Sequence, residues 1–143
     1  MRSISASFQT RWATAVAGLA AWTITVPLLA EAIGLTLDVA TRLEIADHVV
    51  PGVLVLVGVA LLVTRGSPPG NKVSLYVGGV VFLSGLWITA THTPLIFDAV
   101  EGMARWDAAL LHLSAGPPIT VLGGWMLLRS QLLGSAPGAQ RDR

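Results

Sequence analysis

The chain has 143 residues, of which 53% are hydrophobic and only 12% charged, with no cysteine. Soluble domains carry about 25% charged residues, so this composition excludes disorder, a nucleic-acid binder and a surface-charged soluble enzyme. Without cysteine, disulfides, thiolate metal sites and cysteine nucleophiles are excluded as well.

Taken in chain order, the charges punctuate four apolar stretches. The first lies between Arg11 and Glu31. The second runs from His48 to Thr64, the third from Val73 to Phe97 and the fourth from Ala108 to Leu128. A bilayer core about 30 Å thick needs roughly 17–25 helical residues, and each stretch meets that length. Lipid offers no partner to backbone N–H and C=O groups, so the spans must be helices. The expected fold is all-α, a four-transmembrane-helix bundle. Its parts are a cytoplasmic N-terminus (1–11), a first two-helix unit (12–65), a cytoplasmic loop (66–72), a second two-helix unit (73–129) and a disordered cytoplasmic tail (130–143).

Orientation follows from the basic residues of the short connections. Arg2, Arg11, Arg65, Lys72, Arg129, Arg141 and Arg143 fall on one side, and only Arg42 and Arg105 on the other. The acids run the opposite way: Glu31, Asp38, Glu44, Asp47, Asp98, Glu101 and Asp107 face Arg42 and Arg105, with Asp142 alone across from them. Both termini are therefore expected in the cytoplasm, with the chain in the inner membrane. A competing reading of the start is a signal peptide cleaved near Ala30-Glu31-Ala32. The length of the apolar run and its tryptophans, Trp12 and Trp22, count against cleavage. The preference for arginine over lysine, with abundant Ala, Gly and Val, suggests a high-GC bacterial source.

The chain also resembles itself. Shifted by 67 positions, Gly18-Leu19 falls on Gly85-Leu86, and Pro27-Leu28-Leu29-Ala30-Glu31-Ala32-Ile33 on Pro94-Leu95-Ile96-Phe97-Asp98-Ala99-Val100. A shift of 64 places His48 on His112 and Arg65 on Arg129. Two copies of one helical hairpin, inserted in the same sense, give this pattern. In these segments the chain resembles the SPW-repeat family of small bacterial multi-pass membrane proteins. Gly85-Leu86-Trp87 leads into Thr93-Pro94-Leu95, and Gly18-Leu19-Ala20 into Val26-Pro27-Leu28, although neither copy has the family's Trp after Pro. The resemblance covers residues 12–128 and implies architecture only.

Small residues at spacing four predict close helix packing: Ala13, Ala17 and Ala21 in the first span, Ser74, Gly78 and Gly85 in the third, and His112, Gly116, Thr120 and Gly124 in the fourth. Trp12, Trp87, Trp106 and Trp125 sit where indoles anchor at the interface, and Trp22 is the exception. Gly116-Pro117-Pro118 predicts a kinked or broken helix, because the two prolines leave the carbonyls of Leu113 and Ser114 without their helical donors.

Candidate chemistry gathers at the outer side. His48 and His112 each precede the closing arginine of their span by 17 residues, about 25 Å along a helix, and His92 ends the third span on that side. His48 and His112 are candidate axial ligands of a haem b, with Gly52 and Gly116 one turn below giving the macrocycle room. Alternatively His48, His92 and His112, with Asp47, Asp98 and Asp107, are candidate ligands of a divalent metal ion. No HExxH, nucleophile elbow or phosphate loop is present, which leans against an enzyme. The leading expectation is a structural or accessory membrane subunit, held by the lipid bilayer and by another membrane protein or a second copy of itself. The alternatives are a haem- or metal-binding redox component, and a small transporter or channel opening at Gly116-Pro117-Pro118.

Overall fold

A computed structural model describes residues 2–34, 45–66 and 72–134. The outer-loop residues Asp38, Arg42 and Glu44, the loop 67–71 and the tail beyond Gly134 lie outside the described residues. Among the described residues the chain is all-helical. Helix α1 runs Arg2–Ala32, a π-helical turn Ile45–Val49 leads into α2 (Val50–Thr64), and α3 covers Lys72–Val100. Helices α4 (Trp106–Leu113) and α5 (Gly116–Gly134) complete the order. Three segments are long and apolar enough to cross a membrane: Phe8–Ala30, Ala46–Thr64 and Lys72–Val100. The fourth apolar stretch differs, because it is divided at Ser114–Ala115 into helices of 8 and 19 residues. Pro117 and Pro118 occupy the first turn of α5, where a missing N–H is harmless, and the chain breaks just before them. Helix also replaces two expected ends: α1 begins at Arg2, and α5 continues past Arg129 to Gly134.

The helices close a ring in which α1 packs on α2, α2 on α3, α3 on α5, and α5 back on α1. The interior is made of small, hydroxyl-bearing and medium residues, among them Ala13, Val16, Ala20, Thr23, Val55, Ser74, Val81, Ser84 and Ala115. A few large side chains join them (Trp12, Leu62, Ile88, Ile119 and Met126), but many more point outward, including Leu54, Val57, Leu61, Leu83, Trp87, Val121 and Leu128. In water that arrangement would expose far too much apolar surface. In lipid it is what close helix packing selects, because the outside needs no polar cover and small residues let backbones approach.

The closest approach is α3 against α5. A methyl group on Gly85 would collide with the backbone of Thr120, and one on Gly123 with the backbone of Phe82. One on Gly116 would lie 2.6 Å from Thr89 Oγ1, and one on Gly78 3.1 Å from the Leu127 nitrogen. Gly124, expected on the packed line, stands beside it and faces only the Phe82 ring. In α1 the contact line runs through Ala13, Val16, Ala20 and Thr23, while Ala17 is half-buried and Ala21 exposed. The reason is geometric: steps of four residues drift about 40° each around a helix with 3.6 residues per turn.

Trp12 corrects the reading of an interfacial anchor. It is buried, and its indole N–H donates to the Leu122 carbonyl of α5 at 3.0 Å. Trp22 donates to Ser114 Oγ at 2.8 Å, and that hydroxyl donates onward to the Leu111 carbonyl at 2.7 Å. At the opposite end Arg129 lies over the Phe8 ring, 3.9 Å from its centroid. These three links lay α4 and α5 antiparallel along α1.

A buried three-histidine cluster as the candidate functional site

Each histidine stands beside an irregularity of its helix. His48 lies on the π-helical turn ahead of Pro51, a form of turn that is frequent at functional sites. His92 lies two residues before Pro94, which has no N–H to offer the Ala90 carbonyl. His112 lies in the last turn of α4, just before the break. The ring of helices brings all three together in the interior, where they are 1%, 5% and 2% exposed. The His48 ring meets His92 edge-on at 4.4 Å between centroids and His112 edge-on at 5.4 Å. His92 and His112 are stacked, 6.0 Å apart and within 21° of parallel.

Two of the tautomers follow from the hydrogen bonds. His92 Nδ1 lies 2.9 Å from the Ile88 carbonyl, and His112 Nδ1 lies 2.9 Å from the Ala108 carbonyl. A carbonyl only accepts, so each Nδ1 carries the proton and each Nε2 is left as the lone-pair nitrogen. His112 Nε2 is fully buried and has no hydrogen-bond partner. Thr91 Oγ1, 3.0 Å from His92 Nδ1, adds a further polar neighbour. A buried acceptor without a donor costs about 1–3 kcal/mol, so this nitrogen asks for an electron-pair acceptor.

The acids separate. Asp47 adjoins His48 and is half-buried. Asp98 is about 9 Å further along α3 than His92 at 1.5 Å per residue. Its backbone carbonyl accepts from Met103 at 2.8 Å in the helix end that Gly102 (φ 76°) closes. Asp107 is exposed and paired with Arg105, Oδ2 to Nη2 at 2.6 Å. That hydrogen bond, aided by the Ala108 N–H, holds the Asp107 carboxyl below the ordinary carboxylate range against slight desolvation. As the side chains stand, no group of three His, Asp or Glu among the described residues is arranged to hold a metal ion.

The cluster does not fit a haem. A macrocycle between His48 and His112 would have to pass through the His92 ring, which touches both. The glycines expected to leave room are spent on helix contacts: a methyl on Gly52 would lie 2.6 Å from Ile24 Cγ1, and Gly116 abuts Thr89. What spacing along single helices missed was the link from Trp22 to Ser114. Its one signal was an indole in the middle of a span, where an anchor has no use. No protein-family model matches the chain, and no curated protein or solved structure matches it either.

Proposed function

We propose that the chain is an integral inner-membrane protein that crosses the bilayer four times, as two hairpins with both termini in the cytoplasm. It acts as an accessory subunit of a membrane assembly, and its histidine cluster is the functional centre. The observation that carries this reading is the cluster itself: three imidazoles withdrawn into a bundle whose outer surface is apolar on every long helix. Ionisable groups at such positions are expensive and mark functional sites by default.

Other features support the architecture. The histidines share one end of the bundle with Asp47, Asp98, Glu101 and Asp107, and the Arg129–Phe8 contact marks the other end together with Arg65 and Lys72. Each hairpin pairs a long helix containing proline (Pro27 in α1, Pro94 in α3) with a helix that starts irregularly and carries a buried histidine. That likeness is what supports reading the two hairpins as copies of one unit. The turn between α3 and α4 is only a few residues long, so the described residues offer a partner little beyond the membrane-embedded faces.

Native mass spectrometry of the protein released from its own membranes tests the proposal. The expected result is a larger assembly, with a second membrane protein or with further copies of the chain. A lone monomer under conditions that preserve other membrane complexes overturns the accessory role.

A further inference from the structure

We propose that His48, His92 and His112 bind one divalent transition-metal ion, zinc(II) being the reference, through imidazole nitrogens. Three imidazoles with an open fourth position are a known donor set for zinc, and neutral imidazole also suits copper, iron and nickel. Zn–N bonds of about 2.0–2.1 Å at tetrahedral angles place the ring centroids of three such ligands about 5 Å apart. The observed separations of 4.4, 5.4 and 6.0 Å bracket that value.

The tautomers are also those that a metal needs. Ligating histidines almost always donate their second N–H to a carbonyl or carboxylate, which fixes the ring and raises the basicity of the other nitrogen. His92 and His112 each do this through Nδ1 to a backbone carbonyl one turn earlier. The Nε2 of His112 is then a lone pair buried away from solvent with no hydrogen-bond partner. The three nitrogens do not yet converge. His92 and His112 are fixed by their carbonyls, and the element that can adjust to close the set is the turn carrying His48. Its π-helical turn is the segment where a small backbone change re-aims a side chain. Asp47, beside His48 and half-buried, offsets part of the ion's charge where three neutral ligands cannot.

This inference takes the cluster as the functional centre but does not need the chain to have a partner. The test uses full-length protein in detergent, stripped with a chelator and titrated with zinc(II), and with cobalt(II) as a coloured substitute. Metal content is read by mass spectrometry, and helicity and thermal midpoint are followed for every variant. One zinc per chain is expected, with visible cobalt bands of a low-coordinate site. His112→Gln and His92→Gln, which keep side-chain volume, should abolish stoichiometric binding while the helicity stays. Asp47→Asn, which removes no ligand, should leave one zinc per chain and weaken its binding through the lost charge. Failure of the wild-type protein to take up one equivalent overturns the inference, as does undiminished binding in all the histidine variants. Either result leaves the mass-spectrometric test of the accessory role standing on its own.

Discussion

A single methyl group decides the packing at two positions of the α3–α5 contact. Gly123→Ala would drive its Cβ into the Phe82 backbone and Gly85→Ala into the Thr120 backbone, neither of which can give way as a flexible side chain does. Each should destabilise the bundle by about 1–3 kcal/mol, read as a lower thermal midpoint in detergent. Gly18→Ala is the control: its Cβ would meet nothing within 4 Å, so the change should be neutral or stabilising by at most about 1 kcal/mol. Charge gives a second prediction at this scale. Because Arg105 lowers the Asp107 carboxyl, the contribution of this pair is present above the unfolded carboxylate pKa and is lost as the pH falls through the lower folded value. The carboxyl carbon of Asp107, followed by NMR, should titrate below an ordinary aspartate, and Arg105→Ala should return it upward. Equal titration in both proteins would show that the pair does not persist in solution. Much of the site was legible in residues alone, since the equal distance of His48 and His112 from their closing arginines put them at one depth. Trp12 was not legible. Burial of an indole at a span end depends on a carbonyl 110 residues away, and no local pattern encodes that.

Two adjacent prolines have a consequence for the element that follows them. They announce the break between α4 and α5, yet only the packing explains why it is tolerated. Ser114 stands at the break, where its hydroxyl donates to the Leu111 carbonyl and accepts from Trp22 of α1. The Leu111 carbonyl thereby has a donor at the break, and the Trp22 indole of α1 fixes the Ser114 hydroxyl in place. A double-mutant cycle on Trp22→Phe and Ser114→Ala should return a coupling of about 0.5–1.5 kcal/mol. Additive effects would mean that the hydrogen bond contributes nothing to the fold. Restoring both missing donors with Pro117→Ala and Pro118→Ala should slow amide exchange over 113–119, since the carbonyls of Leu113 and Ser114 then find helical partners. Unchanged exchange would assign the break to tertiary packing rather than to the prolines. The same comparison shows why the stripe in α1 was misplaced. A spacing of four is a local approximation to the helical period, and it loses the contact line after two turns.

Whether the broken stretch crosses the membrane is a property of the whole molecule, and length cannot decide it. Helix α4 alone, at 8 residues, is about 12 Å long, well short of the roughly 30 Å hydrocarbon core. Its company argues for a crossing. The ties Trp22–Ser114, Trp12–Leu122 and Phe8–Arg129 run in order down α1, and Phe8–Ala30 of α1 is itself long and apolar enough to span. The ties fasten the broken stretch antiparallel along α1 from Phe8 to Trp22, about 21 Å of a helix long enough to span, which is the ground for expecting a fourth crossing. The lack of cysteine makes this testable with single introduced thiols, each the only one in the chain. On intact cells a membrane-impermeant maleimide should label Met103→Cys, at an exposed position on the acidic, histidine-bearing end. It should reach Ser67→Cys and Ser135→Cys only after the membrane is opened, as the excess of arginine and lysine at that end requires. Labelling of Met103→Cys and Ser135→Cys together would place α4 and α5 on one side and reduce the protein to three crossings. Labelling of Ser67→Cys and Ser135→Cys without Met103→Cys would keep four crossings and reverse the orientation, turning the histidine end towards the cytoplasm. Each pattern corresponds to one path of the chain: with α1, α2 and α3, each long and apolar enough to cross, as spans, the side of residue 135 reports on the fourth.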